Sequence, residues 1–117
     1  MKLDWSRRAL ADLDRLHGFL APVNPRAAAE LVQALTRAPE RLLGQPRMGT
    51  RLDRYGPREV RRIFVGDYEM RYEIIGDVMS IAQIWHGRED RYSELRGSMA
   101  ADAQSGRRRV EMSYIGG

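Results

Sequence analysis

The chain has 117 residues, no cysteine and a net charge of +4, with a pI near 10.0. That length fits one compact domain with a modest core, and the lack of cysteine excludes a disulfide framework and any thiolate metal site. No apolar run approaches the roughly 20 residues of a membrane span, and the charged start, Met1 to Arg8, lacks the apolar stretch of a secretory signal; a cytoplasmic, soluble protein is expected. Lys2 is the only lysine, so nearly all the positive charge is arginine, whose planar fork suits phosphate and carboxylate. Nucleic acid and an acidic protein segment both fit that balance, and so does a plain coding bias toward arginine.

Lys2 to Trp5 alternates and predicts a first edge strand. Ser6 supplies a helix N-cap. Leu10, Leu13, Leu16 or His17, and Leu20 then recur every three to four residues, which predicts an amphipathic helix with Asp12, Asp14 and Arg15 off the apolar stripe. Pro22 ends it. Asn24 caps a second helix with Pro25 at its first position. The stripe Ala28, Leu31, Val32, Leu35, Ala38 and Leu42 carries that helix to about Leu43. A kink or break is expected at Pro39, and Gly44 is a plausible terminator. The short connection predicts an antiparallel helix hairpin, whose apolar stripes need a sheet beneath them.

Residues 45–58 read as a loop, punctuated by Pro46, Gly49, Gly56 and Pro57. It carries Arg47, Arg51, Arg54 and Arg58 against one acid, Asp53. Three strand-like runs follow: Glu59 to Val65, Tyr68 to Ile75, and Val78 to Trp85. The dipeptides Gly66-Asp67 and Gly76-Asp77 between them predict adjacent antiparallel hairpins. In the second run Tyr68, Met70, Tyr72 and Ile74 alternate with Glu69, Arg71 and Glu73, so one face is expected to be buried and the other wet. A polar knot from His86 to Arg91 closes the last strand. Arg88 to Arg96 has the composition of a last helical turn or two. The domain is expected over residues 1–96, with residues 97–117 as a flexible tail.

The order strand, helix hairpin, arginine-rich loop, three-stranded meander and His-Gly-Arg knot resembles the ParE/RelE superfamily of toxins from bacterial toxin–antitoxin modules. The likeness rests on Asn24-Pro25-Arg26-Ala27-Ala28-Ala29 at the second helix start and on the LGQPRMG segment from Leu43 to Gly49. It rests also on Arg61 to Tyr68 with Arg71-Tyr72-Glu73 in the central hairpin, and on Ile84-Trp85-His86-Gly87-Arg88-Glu89-Asp90 at the sheet exit. At that exit Glu89 replaces the usual second arginine. The resemblance covers about residues 1–95 and implies an α+β fold: a short N-terminal strand and an antiparallel helix hairpin packed on a twisted antiparallel sheet, in the order β-α-α-β-β-β. It also implies a function. ParE-type members inhibit DNA gyrase; RelE-type members cleave mRNA on the ribosome. A cognate antitoxin, ParD-like for a ParE-type toxin, neutralises either kind by wrapping it with its C-terminal segment. Operator DNA is then reached only through the antitoxin, and the protein works as a hetero-oligomer without cofactor or membrane.

A RelE-type nuclease must move a proton off the 2′-hydroxyl, return one to the leaving oxygen and hold cations at the phosphorane. The residues available for that are Arg61, Arg71, His86, Arg88 and Tyr92. His86 has the intrinsic pKa for an acid or base. Against this, His86 can simply cap the strand exit, while the arginines pair with Glu59, Glu69, Glu73 and Asp90. The lack of a second lysine removes a residue such nucleases commonly use. The favoured expectation is therefore a gyrase-inhibiting toxin with no catalytic residues, and a RelE-type endoribonuclease is the alternative. Arg47, Arg51, Arg54, Arg58, Trp85 and Arg88 are the candidate partner-binding residues. Trp85 is a core residue or, if it points outward, an anchor. His17 is expected to pack in the core. Two histidines without an HxxxH or DxD cluster give no metal site. There is no Walker loop, and Ser6, Ser80 and Ser93 lack a nucleophile elbow. An open sheet edge is a ready acceptor for an added strand.

Overall fold

The computed structural model describes residues 1–87. The helical turn expected after Arg88 and the tail expected from Gly97 lie outside the described residues. The elements are β1 (Lys2–Trp5), α1 (Arg7–Leu20), α2 (Pro25–Leu42), β2 (Thr50–Arg51), a 3-10 turn (Asp53–Tyr55), β3 (Glu59–Val65), β4 (Tyr68–Ile75) and β5 (Val78–His86). They form the expected α+β architecture, with the five strands in the order β1-β5-β4-β3-β2. The β3-β4-β5 meander is antiparallel, whereas β1 joins β5 in parallel, so the sheet is mixed. The fifth strand comes from the arginine-rich segment: β2 pairs Thr50 with Arg62 and Arg51 with Arg61.

Local chemistry sets these elements. Ser6 accepts from Ala9 N, and Asn24 accepts from Ala27 N, each at 3.0 Å, which satisfies an N-terminal amide of each helix. Gly66 and Gly76 take φ of 60° and 57° at the first position of their two-residue turns, a backbone that glycine adopts without strain. Helix α2 runs unbroken through Pro39. Pro39 sits in the last turn and is itself buried, so its packing offsets the missing amide and the expected break does not form.

The core lies between the helix hairpin and one sheet face. It joins Ala9 and Leu16 of α1, Leu35 and Leu42 of α2, Met70, Tyr72 and Ile74 of β4, and Met79, Ile81 and Ile84 of β5. The fully buried residues of α1 are Ala9, Asp12 and Leu16; of the expected row Leu16 is buried and Leu13 packs against the core, whereas Leu10 is exposed, and so is His17, which does not pack in the core. The reason is Asp12. Strand β1 covers β5 only as far as Ile81, and side chains of α1 and of its N-cap Ser6 take over the edge beyond it. Ser6 Oγ donates to Ala82 O at 2.9 Å. Asp12 Oδ2 accepts from Ile84 N at 2.9 Å, and Arg15 donates to Ile84 O at 3.3 Å. One carboxylate and one guanidinium thus give Ile84 the acceptor and donor that a strand neighbour supplies. Burial pushes the Asp12 carboxyl above its ordinary range, against the opposing pull of the Ile84 amide, Arg8 and Arg15.

Strand β5 also contains a bulge. Arg71 is opposite Gln83 and Tyr72 is opposite Ile81, leaving Ala82 as the extra residue. Ile81 and Ile84 therefore both face the helices, and Trp85 turns to the other side of the sheet.

Candidate functional site

The face away from the helices is built from Arg62 and Phe64 of β3, Glu69, Arg71 and Glu73 of β4, and Trp85 of β5. The expectation that this face is wet fails at its centre: Glu69 is 1% exposed and Arg71 7%. They are covered by their own long neighbours and by Tyr55, whose hydroxyl accepts from Arg71 Nη1 at 2.9 Å. A buried charge persists when it is paired. Arg71 Nε donates to Glu69 Oε2 at 2.9 Å, and Arg62 Nη1 lies 3.7 Å from Glu69 Oε1.

Aromatic rings interleave with these charges. The Arg71 guanidinium lies 4.6 Å from the Trp85 ring centroid, and Arg62 lies 5.4 Å from that of Phe64. Arg54 and Arg58 approach the Tyr55 ring at 5.7 and 5.9 Å. Arg58 also grips Glu73 with both ends of its fork, at 2.9 and 2.8 Å, the bidentate geometry that suits arginine. Trp85 Nε1 is buried and finds no acceptor among the described residues.

A second polar network lies on the helix side, at the rim. Arg61 donates to Glu59 at 2.8 Å, to Gly49 O at 2.7 Å and to Arg47 O at 3.1 Å. Arg47 reaches the same Glu59 at 2.9 Å. Hydrogen bonds from Arg47 and then Arg61 hold the Glu59 carboxyl below the usual range. The buried Tyr72 hydroxyl accepts from Gly49 N at 3.0 Å and donates to Pro46 O at 2.7 Å, and burial raises its pKa. Residues 46–49 are thus pinned to the sheet. Only glycine fits at 49, because a Cβ there would lie 2.5 Å from Tyr72 Oη and 2.7 Å from Arg62 O.

The structure does not gather the candidate nuclease residues. Arg61 is opposite Tyr72, and Arg71, the neighbour of Tyr72, points to the other face, so the two arginines lie on opposite sides of the sheet. His86 is opposite Tyr68 at the far end of the helix side, its ring edge-on to the tyrosine at 5.0 Å. Arg88 and Tyr92 lie outside the described residues. Of the candidate partner-binding residues, Arg54, Arg58 and Trp85 share the open face. Arg47 sits at the Glu59 rim, Arg51 donates to Gly56 O at 3.4 Å, and Arg88 is again outside the described residues. Among the described residues no three metal-capable side chains cluster.

Sequence reasoning missed Arg62, Phe64, Glu69 and Tyr55 as one unit. A signal for three of them was present. A two-residue turn at Gly66-Asp67 pairs Val65 with Tyr68, and counting outward sets Phe64 against Glu69 and Arg62 against Arg71. The family model for the ParE toxin of the type II toxin-antitoxin system parDE matches residues 3–91. The chain belongs to the ParE toxin family. Toxin RelE1 of Caulobacter vibrioides is 37% identical over 89 residues, spanning 74% of this chain and 92% of that relative. A solved structure titled "Chromosomal ParDE TA system from P. aeruginosa" shares the fold with a TM-score of 0.63 at 24% identity, covering 74% of this chain and 95% of that one. Membership makes the chain the toxin half of a toxin–antitoxin pair, with a cognate antitoxin as its partner. Among the described residues no helix is long and apolar enough to cross a membrane.

Proposed function

We propose that this toxin acts in the cytoplasm by binding and inhibiting DNA gyrase, and that it is not a hydrolase. The observation that carries this reading is the commitment of the arginines. Phosphodiester cleavage needs cations and a proton-transfer group converging on one phosphate. Here Arg61 is tied to Glu59 on one side of the sheet and Arg71 to Glu69 on the other. A relative printed as Toxin RelE1 makes RelE-type mRNA cleavage the reading to test against.

The same proposal includes neutralisation by a ParD-like antitoxin whose C-terminal segment wraps the toxin, and operator DNA is bound through the antitoxin alone. Support comes from surfaces that suit an extended, acidic segment with aliphatic side chains. The outer edge of β3 beyond Arg62 has no strand neighbour among the described residues. Phe19 and Val23, at 84% and 83% exposure, stand at the turn of the helix hairpin, and the chain carries a net charge of +4.

The test is to purify the toxin free of antitoxin and to assay gyrase supercoiling and mRNA integrity in parallel. Inhibited supercoiling with intact transcripts is expected. Normal supercoiling with cleaved transcripts overturns the reading.

A further inference from the structure

The open face has the composition of a single-strand nucleic-acid platform. Cations that follow phosphates and rings that stack on bases are the two parts of such a surface, and Arg62, Arg71, Arg58 and Arg54 interleave here with Phe64, Trp85 and Tyr55. Arg62 is the arm that solvent reaches, its side chain 37% exposed, and Arg71 backs it at 8%. Both point at one spot. That spot is already filled by an anion from the chain itself: Glu69 Oε2 meets Arg71 at 2.9 Å and Glu69 Oε1 faces Arg62 at 3.7 Å. With its side chain 2% exposed, Glu69 sits beneath the surface and takes no part in contacts with a passing ligand. Its effect on such a ligand acts through the two arginines.

We propose that Glu69 is a specificity-determining residue: its carboxylate occupies the anion position between Arg62 and Arg71 and so closes this face to the phosphodiesters of RNA. A phosphate arriving at Arg62 meets a guanidinium whose charge is already offset, with a carboxylate behind it, and the like-charge repulsion adds to the lost attraction. The inference rests on the reading that this toxin does not process RNA, and it supplies a physical cause for it. Glu69→Gln keeps the shape and one acceptor oxygen for Arg71, and removes the charge.

The experiment measures binding of a fluorescein-labelled single-stranded RNA of about 12 nucleotides, within the usual site size for one such platform, to the full-length chain by anisotropy. Wild type is compared with Glu69→Gln over a range of salt. Glu30→Gln is the charge control. Glu30 pairs with Arg26 on the exposed surface of α2, so this variant makes the same change in net charge away from the open face. Glu69→Gln is expected to bind RNA at least about tenfold more tightly, the scale of one charge-assisted contact. Its log Kd against log salt should steepen by roughly 0.7, the value of one added phosphate contact on a single strand. Glu30→Gln should match wild type.

An equal gain in both variants, or wild type already binding as tightly as Glu69→Gln, overturns the proposal. If Glu69→Gln does not fold, as judged by its thermal transition, Glu69→Asp decides the matter. It keeps the charge but withdraws the carboxylate from both Arg62 and Arg71 by one methylene, so a smaller gain supports the proposal and no gain overturns it. The two readings fail separately: gyrase inhibition with no RNA gain in the variants sinks only this inference, whereas cleavage of the RNA by wild type sinks the proposed function.

Discussion

On the helix side of the sheet the buried residues include Leu35, Leu42, Met70, Tyr72, Met79, Ile81 and Ile84, each at 1% exposure or less. On the open side Glu69 and Arg71 are buried at the centre, and Val60 is buried beside Glu73. The first side is closed by apolar area, which is non-directional and not subject to the screening that weakens charge pairs. The second is closed by ion pairs and arginine–aromatic stacks, which demand geometry and leave a costly remnant when one partner goes. A face of the first kind can only be a core. A face of the second kind is dense enough to be rigid, yet it is made of the groups that recognise other molecules.

Mutations separate the two. Leu35→Ala on the helix side should have the largest effect, about 4 kcal/mol of unfolding free energy, because it leaves a cavity in a packed site; denaturant titration should give the same loss at low and high salt. Arg71→Met on the open side should cost about 3 kcal/mol by leaving Glu69 buried with only its longer contact to Arg62. Here the loss should shrink when Glu69→Gln is added, and a double-mutant cycle measures that coupling. Gly49→Ala should cost about 2 kcal/mol by pushing residues 46–49 off Tyr72 and the β3 backbone, and thermal melting will show it. Tyr72→Phe should cost about 1 kcal/mol through two lost hydrogen bonds at the same place, with faster amide exchange at Gly49 as its local signature.

The smallest expected effect is a pair of opposite pH dependences. Glu59 has a folded pKa below its ordinary 4.5, so its contribution is present above that value and is lost as pH falls through the folded pKa. Asp12 has a folded pKa above its ordinary 3.8. The folded state then holds the proton more tightly, and stability falls as pH rises from 3.8 through the raised value. Melting curves against pH should show Glu59→Gln losing part of the acid-side decline. Asp12→Asn should lose part of the decline on the rising side.

Much of the fold was legible because its signals are local. Ser6 and Asn24-Pro25 mark the helix starts, and the two Gly-Asp turns set the meander and its register. The Asp12 contact was not legible. Helical periodicity put a charged residue on the outer surface, and only the gap beside Ile84, where β1 stops short, makes an inward carboxylate favourable. The strand β2 was hidden in a segment of two paired residues, too short to show alternation. The open-face cluster was half legible. The register of β3 against β4 follows from the Gly66-Asp67 turn, but the arrival of Tyr55 depends on a 3-10 turn that the sequence does not announce. The place of Trp85 depends on the extra residue in β5.

That extra residue, Ala82, sets the phase of everything after it. Removing one residue there would exchange inside for outside along the rest of β5. Ile84 would be carried into the charged side, and Trp85 under the helices against Asp12 and Leu16. Length at this one point is therefore more tightly constrained than identity. A strand one residue shorter would put a different set of side chains on each face of the sheet.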